Sequence, residues 1–163
     1  MTDTIFRASN LCARVGRVEM EWFEQPWVQP TAFLYVAHVV SRAICSRMAT
    51  KKEQWSTTWL TVHAIVNLSI TIQVLPSMRA VYACVASNVP ETCLAKPSEA
   101  PQPMQKAGLL HLYHVLFYSL SNEDRFHHAL FASGLILPGV VYDWGHLANY
   151  QLFYIHGLPG FLI

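Results

Sequence analysis

The sequence predicts an all-α fold, a polytopic transmembrane bundle of about four to five membrane helices. Three observations carry that expectation. Charged residues make up 13% of the 163-residue chain, about half of the roughly 25% usual for soluble domains. Hydrophobic residues reach 53%. Residues 54–78 run without a single charge, and about 20 such residues cross a hydrocarbon core. A soluble helical bundle with an unusually apolar surface is the competing expectation. The net charge of +1 gives a polyanion nothing to hold, so no nucleic-acid partner is expected.

The length fits one domain. An N-terminal interfacial arm is expected over 1–30 and a helical domain over 31–163, with a loop at 79–107. The arm carries Arg7, Arg14 and Arg17 but lacks the continuous apolar core of a signal peptide. Trp22 and Trp27, just ahead of the first apolar segment, suit a membrane interface; a poorly ordered arm is the alternative. The first expected span, 31–48, contains His38 and Arg42, which favours packing against protein over lipid. Arg47, Lys51 and Lys52 follow as a basic loop, cytosolic by the positive-inside bias.

The uncharged stretch 54–78 holds Thr57, Thr61, Asn67, Ser69, Thr71 and Gln73, too many polar groups for a lipid-facing helix. His63 and Asn67 share a face. They can line a polar cavity or bond a neighbouring helix. Pro76 is expected to end or kink this span. The proline-rich loop at 79–107 then falls on the opposite, lumenal or external, side. Cys84 and Cys93 can pair there, and free thiols fit the spacing equally well. Without a CxxC, no structural zinc is expected.

Residues 108–120 form a short apolar helix with His111 and His114 on one face. Next comes the most function-like stretch, SNEDRFHHALF over 121–131. Ser121 caps a helix, and Asp124 three residues on completes a capping-box pattern, with Asp in place of the usual Glu or Gln. Asp124 is also one turn from His127 and His128 and can reach either imidazole. Adjacent residues point about 100° apart on a helix, so one of the pair can face a cavity while the other packs. General acid–base chemistry needs one such imidazole and a group to orient it. Farther on, Leu137-Pro138-Gly139 and Gly157-Leu158-Pro159-Gly160 are expected to break or bend their helices. At membrane depth that is tolerated only inside protein or beside a cavity. The last uncharged stretch, 144–163, stops within apolar sequence, so the chain is expected to be a fragment.

Eight histidines invite a metal or haem, but most histidines on apolar faces satisfy a neighbour's hydrogen bond. The Glu-x-x-His pattern of di-iron bundles is missing. No metal and no cofactor are expected.

TVHAIVNLSI, HLYHVLFYSL, DRFHHALF and NYQLFYIHGLPGFL, in that order, resemble the TLC domain, which ceramide synthases share with several non-enzymatic membrane proteins. The resemblance spans roughly residues 55–163. It rests on His63-Ala64-Ile65, on Asp124 with His127 and His128, and more loosely on Asn149 and Pro159. It implies a membrane protein of the endoplasmic reticulum or another endomembrane, as a homo- or hetero-oligomer, that binds, senses or moves a membrane lipid. Asp124, His127 and His128 would be the polar centre, with His63, Asn67, His111 and His114 as lining. In ceramide synthases the paired histidines are implicated in acyl transfer from acyl-CoA to a sphingoid base. The resemblance carries that role to His127 or His128 as general base. The family's later acidic motif has no counterpart before Ile163. A third expectation is a structural subunit of a membrane complex, in which the histidines only pack.

Overall fold

The computed structural model describes residues 25–48, 50–87, 102–142 and 145–162. Among them the chain is all-α, with no strand. Five helical rods follow one another. α1 is Val28–Cys45, α2 is Lys51–Ala86 and α3 is Gln102–Phe117. The fourth rod joins α4 (Asn122–Phe131), a π-helical turn (Ala132–Ile136) and α5 (Leu137–Tyr142). The fifth joins α6 (Gly145–Leu152), a second π-helical turn (Phe153–Gly157) and α7 (Leu158–Phe161).

α2 is the axis. Its N-terminus is a capping box, with Thr50 Oγ1 accepting from Glu53 N–H at 3.2 Å and Glu53 Oε2 accepting from Thr50 N–H at 3.1 Å. Lys51 and Lys52, expected in a loop, belong to its first turn. Val62, Val66, Ile70 and Val74 recur every fourth residue, and all are buried. That stripe meets α1, α3, α6 and α7, while the fourth rod packs on α3. Among the described residues α2 is the one helix that is by itself long and apolar enough to cross a membrane. Its 36 residues give a rod of about 54 Å.

Pro76, Pro138 and Pro159 do not end their helices. Pro76 does not end α2, which continues to Ala86. α3 likewise starts at Gln102, inside the expected 79–107 loop, with Pro103 in its first turn where a missing N–H costs nothing. The two Leu-Pro-Gly sequences do not break their rods either. Each is preceded by a five-residue π-helical turn, Ala132–Ile136 and Phe153–Gly157. Proline in a regular helix removes one hydrogen bond and collides with the carbonyl four residues back. A wider turn before it accommodates both defects, and the rod runs on.

Polar and apolar residues are arranged inside out. Asn67, Thr58, Ser41, His111, His128, Asn149 and His156 are buried. Lys106 is buried too, its Nζ donating to Ser69 Oγ at 2.7 Å and lying 4.3 Å from the Phe33 ring centre. Meanwhile every rod exposes large apolar side chains, among them Tyr35, Val39 and Ile44 on α1, Ile72 and Val85 on α2, and Leu116 and Phe117 on α3. The α1 polar residues pack inward as expected. His38 Nδ1 lies 2.6 Å from Tyr113 Oη, and the Arg42 guanidinium sits over Trp55 at 5.1 Å. Cys84 is disulfide-bonded and Cys45 is a buried free thiol. Cys93 and most of the 1–30 arm lie outside the described residues.

The two faces of α2 give a direct check. Ile70 is fully buried and Ile72 is 58% exposed. Ile70→Ala is expected to cost roughly 2–5 kcal/mol through transfer and cavity terms, and Ile72→Ala within about 0.5 kcal/mol. Thermal unfolding in mild detergent reads both, and equal losses would mean that α2 is rotated from the orientation described.

Candidate functional site

A cavity of about 250 Å³ opens between α2, α3, α4 and the fifth rod. Its polar wall is His63, His111, His114, Asp124, His127, His128 and His156; its apolar wall includes Trp59, Leu60, Leu110, Phe131 and Ile155. A second cavity of about 600 Å³, lined by Lys52, Trp55, Ser56, Tyr118 and Ser119, shares Trp59, Leu60 and His114 with the first. His114 and Trp59 are stacked, ring centres 3.8 Å apart, at the junction.

Along the wall the imidazoles are hydrogen-bonded in series. His114 Nδ1 lies 2.8 Å from His128 Nε2, and His128 Nδ1 lies 2.5 Å from His111 Nδ1. His111 Nε2 lies 3.0 Å from His156 Nε2. His156 Nδ1 donates to Asn67 Oδ1 at 2.6 Å, and Asn67 Nδ2 donates to His63 Nδ1 at 2.9 Å. Asn67 is fully buried; His111, His128 and His156 nearly so. Among the described residues no group of His, Cys, Asp or Glu is arranged to hold a metal ion. The reason is geometric. His111, His128 and His156 each use both ring nitrogens on a neighbour, whereas a metal site needs one lone pair per ring converging on a point.

The expected lining residues His63, His111 and His114 face the cavity, as do Asp124, His127 and His128. Asn67 does not line it but stands one layer behind. The adjacent pair divides as helical geometry requires, with His128 buried and His127 exposed on the wall. The hydrogen bond that Asp124 could make to an imidazole is not made. Its Oδ2 accepts from Ser121 N–H at 3.1 Å, its own N–H donates to Ser121 Oγ at 3.0 Å, and among the described residues it bonds neither imidazole. The capping box claims the carboxylate, and His128 is oriented by His111 and His114 instead.

His156 escaped the sequence reading, yet it joins α2 to α3 through Asn67 and His111. The signal was present, since it immediately precedes the Gly-Leu-Pro-Gly expected beside a cavity and sits on the helical face of Asn149. Gly157 is what lets it reach. A Cβ there would stand 2.9 Å from Thr71 Oγ1, so only glycine admits the fifth rod this close to α2. Trp59 was missed too, one turn before His63 on the same face, ring centres 5.1 Å apart.

Compared with known protein families, characterised proteins and solved structures, the chain finds no match.

Two expectations follow from this geometry. Gly157→Ala should cost roughly 1–3 kcal/mol by overpacking, and adding Thr71→Ala should recover most of it. Melting of the two single variants and the double variant measures that coupling; additive effects would separate Gly157 from Thr71. Hydrogen bonds from Ser121 hold the Asp124 carboxyl below its ordinary range. A depressed folded value means that its stabilisation is present above the unfolded value of about 3.9 and lost as pH falls through the folded one. α4 should therefore fray on acidification below about pH 4 in wild type. In Asp124→Asn that step should vanish from a circular-dichroism titration.

Proposed function

We propose that the chain is a multi-pass membrane protein that binds a membrane lipid, with the headgroup in the histidine-walled cavity. The observation that carries this reading is the inside-out distribution of side chains. In water, each large apolar side chain left exposed forfeits about 1.5–3 kcal/mol of burial. Val39, Ile44, Ile72, Leu116 and Leu137 are all exposed, spread over four rods, an arrangement that costs nothing against acyl chains. Buried polar groups bonded to one another are what hydrocarbon demands of a helical protein. The remaining rods then cross beside α2, the fourth by packing on α3 and the others on α2 itself, although α2 alone passes as a span by length and hydropathy.

A volume of about 250 Å³ suits a headgroup, and the adjoining about 600 Å³ gives a chain somewhere to lie. Trp59 and Leu60, common to both, form the apolar passage between them. The TLC resemblance of residues 55–163 points to the same class of function, and with it to an endomembrane. Acyl transfer with His128 as general base draws less support, because both of its nitrogens are committed to His111 and His114.

Native mass spectrometry from mild detergent tests the reading. Wild type is expected to retain one lipid class over the bulk membrane lipids. Leu60→Trp fills the passage and should release that lipid with little change in melting. Bulk lipids in equal proportion on both proteins would discard lipid binding in favour of a structural subunit.

A further inference from the structure

Asn67 is the one member of the buried series whose hydrogen-bonding ends are fixed by chemistry. Its Oδ1 only accepts and its Nδ2 only donates, while a neutral imidazole can donate from either nitrogen. No carboxylate bonds any ring of the series among the described residues, and in such a buried place the neutral ring is the inexpensive state. One choice at Asn67 then decides all the others. Oδ1 faces His156 Nδ1, so that nitrogen carries the proton and His156 Nε2 is an acceptor. His111 must donate to it from Nε2, which leaves His111 Nδ1 to accept from His128 Nδ1. His128 Nε2 then accepts from His114 Nδ1. The series ends at His114 Nε2, a lone pair with no hydrogen-bond partner among the described residues, on a ring that lines both cavities.

We infer that Asn67 is a positioning residue that, through His156, His111 and His128, makes His114 Nε2 the acceptor presented to the cavity. It never touches the ligand. Its effect is to select headgroups that donate a hydrogen bond at that point. His114, rather than His128, whose two nitrogens are both used inside the series, is then a ring that meets the ligand's proton. This use of His114 rests on the lipid-binding reading above; the order of tautomers does not, so the two fail separately.

Solid-state NMR of the ¹⁵N-histidine-labelled full chain in lipid bilayers reads the tautomers directly. The expected pattern is Nδ1–H at His114, His128 and His156, and Nε2–H at His111. The mirror pattern, cationic rings, or the nitrogen shifts of metal-bound imidazole would each overturn the inference in wild type alone, without any variant. Asn67→Leu should convert His114 from one tautomer to a mixture of both. An unchanged His114 in Asn67→Leu would remove Asn67 from the role. Adding a long-chain alcohol, but not its methyl ether, should shift the His114 Nε2 resonance. A shift with the ether alone would overturn the selection for donors. No shift with either, over the expected tautomer pattern, would discard the lipid reading and leave the order of tautomers standing.

Discussion

The hydrogen bond between Asn67 on α2 and His156 on the fifth rod is the interaction on which the site depends. It joins side chains 89 positions apart in the chain, and both are buried. The contact exists only because Gly157 has no Cβ to push Thr71 away. From His156 the series runs to His111 on α3 and His128 on α4, so one close approach of two backbones aligns side chains from four elements. A buried polar chain of this kind is high-stakes, since each member satisfies its neighbours and the loss of one strands the next. That interdependence gives the cavity a defined polar wall despite a shortage of charge.

The outside of the molecule answers to a different constraint. Large apolar side chains face outward on every rod while Ser41, Thr58, Asn67, Ser77, His111, His128, Asn149 and His156 turn inward. Association of helices then rests on close packing and on hydrogen bonds made inside, as at His146 and Asn149, which share Ser77 Oγ at 3.1 Å each. Lys106 follows the same logic, its ammonium spent on Ser69 and on the face of Phe33 rather than on a carboxylate.

Proline enters this scheme as a shaping device. Both Leu-Pro-Gly sequences lie just past a π-helical turn, and the second turn contains His156 itself. Widening the helix there relieves the proline clash and changes which residues face inward, so the element that accommodates Pro159 also aims the ring that binds Asn67.

Composition and the spacing of apolar residues determined the all-α class by themselves, because they reflect the surroundings that the whole chain must satisfy. The Ser121–Asp124 capping box, the shared face of His63 and Asn67, and the split orientation of His127 and His128 were equally legible, being consequences of helical geometry within one turn. What the sequence could not decide was which of two local partners wins. Asp124 could reach an imidazole or the helix N-terminus, and the backbone N–H took it. The continuation of three helices through proline was also settled only by packing, which returns more energy than the local defect costs. The membership of His156 in the site was decided last and farthest away. It depends on a glycine meeting a threonine 86 positions earlier in the chain, and a contact between such distant residues is a property of the folded bundle alone.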